Sequence, residues 1–63
     1  MNELKQVYEA IKNGARTSME IKTATRLDYN KINRATSILR EKYKVIDRLS
    51  ANSFMITSKR YEF

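Results

Sequence analysis

Three stretches of the chain carry apolar residues at helical spacing, and a fourth alternates. Residues 2–13 place Leu4, Val7, Tyr8 and Ile11 at the i, i+3, i+4, i+7 positions that gather on one side of a helix. Asn2 is its expected cap. Asn13-Gly14 is its expected stop, because glycine enters the left-handed region without strain. Thr17 and Glu20 stand in the S/T-x-x-E relation of a capping box, which predicts a second helix from about Ser18 to Arg26. Ile21, Ala24 and Thr25 supply its buried side, Leu27 turns inward after it, and a short strand is expected around Arg16.

The third stretch, "RLDYNKINRATSILREKY", predicts a helix over about 29–43 with two chemically opposed faces. Ile32, Ala35, Leu39 and Tyr43 form an apolar seam. Opposite lie Asn30, Arg34 and Ser37, flanked by Lys31 and Asn33. Asp28 is a good N-cap and suits the positive end of the helix dipole; Asn30 is the alternative cap. Beyond it, Val45–Leu49 and Phe54–Ser58 read as β-prone runs around the turn-like Ser50-Ala51-Asn52-Ser53. Pairing them about that loop places Val45, Leu49, Phe54 and Ile56 on one face around Asp47, with Ile46, Arg48, Met55 and Thr57 on the other. Tyr61 and Phe63 in the tail have no obvious place in so small a core.

Composition narrows the function. At 63 residues, 41% hydrophobic and 32% charged, the chain fits one folded domain over 1–63 and not a disordered tail. A domain of this size buries only about 60% of the surface its unfolded chain exposes. With neither cysteine nor histidine, it has no disulfide and no cysteine–histidine metal site. No metal, cofactor or small-molecule ligand is expected. An enzyme is not expected either: no phosphate-binding glycine loop is present, and nothing pairs a nucleophile with a base. No apolar run approaches the roughly 20 residues of a membrane span, and "MNELKQVYEA" lacks the apolar core of a secretory signal. A cytoplasmic protein with no membrane partner is the expectation.

The charge is more specific. Thirteen Lys+Arg against seven Asp+Glu give +6. Glu3, Lys5, Glu9 and Lys12 cancel, so the whole excess lies in residues 14–63. Concentrated positive charge points to a polyanion partner.

The order of helix, short strand, helix, turn, helix and hairpin resembles a winged helix-turn-helix domain, most closely the small regulators of the MarR and PapI types. The resemblance rests on "MEIKTATRLDYNKINRATSILREKYKVIDR" and covers roughly residues 4 to 57. Ile21 matches the buried residue of the family's second helix, and Leu27-Asp28 resembles its Leu-Ser turn and cap. Ile32, Ala35 and Leu39 match the inward positions of its recognition helix. Tyr43-Lys44-Val45 stands where the family carries Gly-Leu-Val entering the first wing strand. Thr25 and Tyr43 depart from the usual leucine and glycine, and the wing loop is short.

The implied fold is mainly α with a small β-hairpin: three helices plus a two- or three-stranded wing. The implied function is a sequence-specific transcriptional regulator of double-stranded DNA, its third helix in the major groove and the 45–58 hairpin on backbone or minor groove. Arg34 suits the O6 and N7 of guanine, and Asn30 and Asn33 the equivalent pair on adenine. Arg16, Lys22, Arg26, Lys31, Ser37, Arg48 and Asn52 are the expected backbone contacts. The small footprint favours a homodimer or cooperative arrays, and the size is similar to regulators of phages, plasmids and archaeal viruses. Each residue also has a plainer role: Asn30 as a cap, Arg48 pairing with Asp47 or Glu62, Tyr29 packing, Arg34 and Lys31 solvating a helix. The alternative function is a protein-interaction module or inhibitor, for which Ile38, Ile46 and Met55 are the candidate apolar stripe. Structured RNA is a third partner class, but aromatic stacking residues are scarce.

Overall fold

The computed structural model describes residues 3–51 and 53–57. Asn2, Asn52, Ser58, Tyr61, Glu62 and Phe63, each given an expected role above, lie outside the described residues. Among those described, three helices precede a two-stranded antiparallel hairpin: α1 (Glu3–Lys12), α2 (Ser18–Thr25), α3 (Tyr29–Ile38), β1 (Ile46–Ser50) and β2 (Ser53–Ile56). No described helix is long and apolar enough to cross a membrane.

The helical periodicities translate directly into the core. Val7, Tyr8 and Ile11 of α1, Ile21 of α2, and Ile32, Ala35 and Leu39 of the third helical segment are buried together, with Val45, Ile46 and Phe54 from the hairpin side. Leu4, Leu27 and Tyr43 pack at its margin. Ala24 departs from expectation. It is exposed, because α2 buries essentially one residue, Ile21, and turns its remaining sides to solvent.

Helix ends follow local chemistry. Thr17 accepts the Glu20 N–H at 3.1 Å, and the Glu20 carboxylate accepts the N–H groups of Arg16 (2.8 Å) and Thr17 (3.1 Å), completing the capping box. Asp28 caps α3 by accepting the Lys31 N–H at 2.9 Å; Asn30 lies inside the helix and does not cap it. Each helical segment is closed by a left-handed residue: Gly14 (φ 119°), Arg26 (φ 62°) and Lys44 (φ 57°). Arg26 thus ends α2 one residue earlier than its periodicity suggests.

The exit of the third segment is unusual. After Ile38 the helix widens into a π-helical turn over Leu39–Tyr43, and the Leu39 carbonyl accepts both the Lys44 and the Val45 N–H groups. At α1 the corresponding closure runs from the Ala15 N–H to the Ala10 carbonyl, one residue tighter. The widened turn places the left-handed residue at Lys44, immediately after Tyr43.

The hairpin register corrects the predicted faces. Ile46 pairs with Ile56, Asp47 with Met55, Arg48 with Phe54 and Ser50 with Ser53, with an irregularity between Arg48 and Ser50. Directly opposed residues share a face, so Ile46, Arg48, Phe54 and Ile56 face the helices, while Asp47 and Met55 face out. Leu49, expected inside, is 62% exposed at the irregularity, and Ile46, expected on the other face, is buried. Both Val45 and Ile46 enter the core as the chain swings out of the left-handed Lys44, so strand alternation starts one residue later than the apolar run suggests. The predicted short strand near Arg16 survives as a single bridge: Thr17 pairs with Ser53, and the Phe54 N–H donates to the Arg16 carbonyl at 2.7 Å. That bridge ties β2 to the start of α2.

Candidate nucleic-acid interface

On α3 each residue advances about 100° around the axis. The core contacts of Ile32, Ala35 and Leu39 fix which side is inward, and Asn30, Asn33 and Arg34 are exposed on the other. Between Asp28 and Glu41 this helix carries no carboxylate. Thr36, at the boundary of the two faces, is buried, and its hydroxyl donates to the Asn33 carbonyl at 3.1 Å. Asn30, Arg34 and Lys31 border a shallow depression of about 250 Å³ that also includes Glu3 and Asp28.

A second, larger cleft of about 390 Å³ lies where α3, the start of α2 and the hairpin meet. Asn33, Ser37 and Arg40 come from the third helical segment, Ser18 from α2, and Arg48 with Phe54 from the hairpin. The register places Arg48 here, since it shares the inner face with Phe54. Among the described residues no carboxylate lies within ion-pair distance of Arg34, Arg40 or Arg48; the printed charge contact on α3 is Lys31 to Glu3 at 3.8 Å, between exposed side chains. Arg40 was not singled out by the sequence. Its 3.6-periodic position borders the apolar seam, and its membership of the cleft depends on where the hairpin lands.

The remaining expected contacts are distributed differently. Lys22 holds its ammonium 4.5 Å from the centre of the Tyr29 ring, which fixes an exposed cation at the entry to α3. Tyr29, expected to pack, is 42% exposed and borders a mainly apolar depression with Met19, itself 69% exposed. Arg26 is exposed at the left-handed end of α2. The Arg16 guanidinium donates to the Ile11 carbonyl at 2.8 Å, so this side chain caps the end of α1. Ser37 is half-buried and donates to the Glu41 carboxylate at 2.9 Å. The Asp47 carboxylate accepts the Arg48 backbone N–H at 2.7 Å, not its guanidinium. Of the apolar stripe considered for a protein partner, Ile46 is buried, Ile38 is half-buried and Met55 is 39% exposed, so no continuous stripe forms.

The acidity of Glu20 departs from the ordinary. The Arg16 backbone N–H, followed by that of Thr17, holds it below the usual carboxylate range. Among the described residues no cluster of acidic side chains is placed to hold a metal ion.

No protein-family profile, curated protein or solved structure matches this chain.

Proposed function

We propose that this chain is a winged helix-turn-helix regulator that binds double-stranded DNA, with α3 in the major groove and the hairpin against the flanking backbone. The observation that carries the reading is the division of α3. One edge is consumed by the core, while the other presents Asn30, Asn33 and Arg34 to solvent on a helix free of carboxylates until Glu41. Those are the side chains that make paired hydrogen bonds to adenine and guanine edges. A helix with this exposed face fits the major groove, which is about 12 Å wide. Lys22, beside the start of α3, and Arg26, in the turn before it, suit the phosphates that flank such a groove.

Selection from random duplexes at two salt concentrations tests this reading, followed by titration of the enriched site. Arg34→Ala is expected to weaken that site by about 1–3 kcal/mol and relax preference at one base pair. Equal losses on the selected and on random duplexes would remove Arg34 from base reading. A chain that enriches no duplex and binds none at low salt is not a DNA regulator.

A further inference from the structure

The cleft between the third helical segment and the hairpin contains two arginines from different elements. Arg40, half-buried, comes from the helical side and Arg48, exposed, from the hairpin side. Ser18 contributes a hydroxyl, Asn33 contributes an amide, and buried Phe54 also lines the cleft. Both side chains border the same concavity, so like charge is concentrated at its mouth. Among the described residues neither has a carboxylate partner. The acid next in sequence to Arg40, Glu41, is exposed and engaged by the Ser37 hydroxyl, and it does not line the cleft. An anion at this cleft offsets the like charge and can accept charge-assisted hydrogen bonds from both forks.

We infer that Arg40 and Arg48 form a shared seat for one phosphate group, held jointly by the recognition-helix segment and the hairpin. In its nucleic-acid form this deepens the DNA-binding reading and rests on it: the seated group is a backbone phosphate beside the groove that α3 occupies. The same chemistry suits the phosphate of a free small molecule. Seating ties Arg48, on the hairpin, to the helix through a common ligand. A phosphate at this point therefore fixes the hairpin relative to α3.

The test uses the whole chain, its Arg40→Ala, Arg48→Ala and doubly substituted forms, and Arg40→Lys and Arg48→Lys as charge-retaining controls. Circular dichroism melts in phosphate-free buffer establish that each is folded. On the selected duplex each alanine form is expected to bind about tenfold to hundredfold more weakly. The double form should lose little more than the worse single, because the two side chains act on one group. Methylphosphonate substitution, one phosphate at a time, should reveal a position that matters to the parent and not to the double form. In the second arm, inorganic phosphate without DNA should raise the melting temperature of the parent and leave the double form unmoved.

Fully additive losses, together with a phosphate profile unchanged in the double form, overturn the shared seat and leave the DNA reading standing. If no duplex binds but inorganic phosphate still distinguishes parent from double form, the seat stands for a free phosphorylated ligand and the DNA reading falls. No duplex binding and the same phosphate response in every form overturn both.

Discussion

The exit of the third helical segment sets where the hairpin begins, and two glycine substitutions at adjacent positions test it with opposite signs. Lys44 is left-handed at φ 57° and ψ 36°, and its N–H closes on the Leu39 carbonyl. A left-handed conformation costs a residue with a Cβ about 1–2 kcal/mol. Glycine avoids that cost but adds about 0.4–1 kcal/mol of unfolded-chain entropy. Lys44→Gly should therefore stabilise the fold by about 0.5–1 kcal/mol, which for a domain this small raises the melting temperature by roughly 2–8 °C. Tyr43, one residue earlier, is helical and half-buried against the core. Tyr43→Gly loses about 1 kcal/mol of helix propensity and about 1–2 kcal/mol of ring burial. Its melting temperature should fall by roughly 10–20 °C. Thermal unfolding followed by far-ultraviolet circular dichroism measures both. Lys44→Asn controls for charge, since asparagine tolerates the left-handed region better than lysine. If Tyr43→Gly stabilises while Lys44→Gly does not, the left-handed residue sits at 43, the turn is not widened, and the placement of β1 against α3 is wrong.

Three further outcomes are expected. Lys22→Ala should lower affinity alike for selected and random duplexes and reduce the salt slope by about one unit; an unchanged slope takes Lys22 out of the phosphate contacts. Glu20 is more acidic in the folded chain than in the unfolded one, so its contribution to stability is complete above the ordinary glutamate range and is lost as pH falls through the lowered folded value. The melting-temperature gap between parent and Glu20→Gln should accordingly shrink on acidification, and a gap independent of pH contradicts the capping role of the charge. Tyr8 is raised above its ordinary value of 10.0, mainly by burial and then by the neighbouring Glu9. Its stabilisation is complete below pH 10 and is lost as pH climbs through the folded value, so Tyr8→Phe should resist alkaline unfolding better than the parent; equal alkaline midpoints refute this.

Helix positions were legible in the sequence because each rests on a local rule with a strong partner. The Thr17–Glu20 box, the Asp28 cap and the i, i+3, i+4 seams of α1 and α3 need no tertiary information, and all are present. The hairpin was legible as a pair of strands but not in register. Val45 and Ile46 are both buried, so parity is ambiguous from composition alone, and the irregularity after Arg48 breaks the alternation that Leu49 was meant to continue. Arg40 and the cleft went unseen for the same reason: a concavity between two elements exists only once their relative placement is known. Arg16 illustrates the converse. A cation just before a helix suits a phosphate contact, but here the guanidinium joins the Gly14 N–H on the Ile11 carbonyl at the end of α1.

Register has a chemical consequence that outweighs its small size. A strand slipped by one residue turns every side chain to the opposite face. In the register observed, Arg48 joins Arg40 at the cleft while Asp47 faces out opposite Met55. Slipped by one, Asp47 would replace Arg48 on the inner face, and the cleft would carry one carboxylate and one guanidinium. The Thr17–Ser53 bridge and the Phe54 N–H bond to Arg16 hold β2 in place from the α2 side, and Thr57 donates to the Val45 and Lys44 carbonyls at the open end of the hairpin, each at 3.0 Å. Those backbone and hydroxyl bonds, none of which involves Arg40 or the Arg48 side chain, hold the register that brings the two arginines to one cleft. An uncompensated pair of arginines is a poor way to stabilise a 63-residue fold, where about 0.05–0.15 kcal/mol per residue is all that separates folded from unfolded. It is a good way to hold an anion that arrives from outside, because both guanidiniums can donate charge-assisted hydrogen bonds to it.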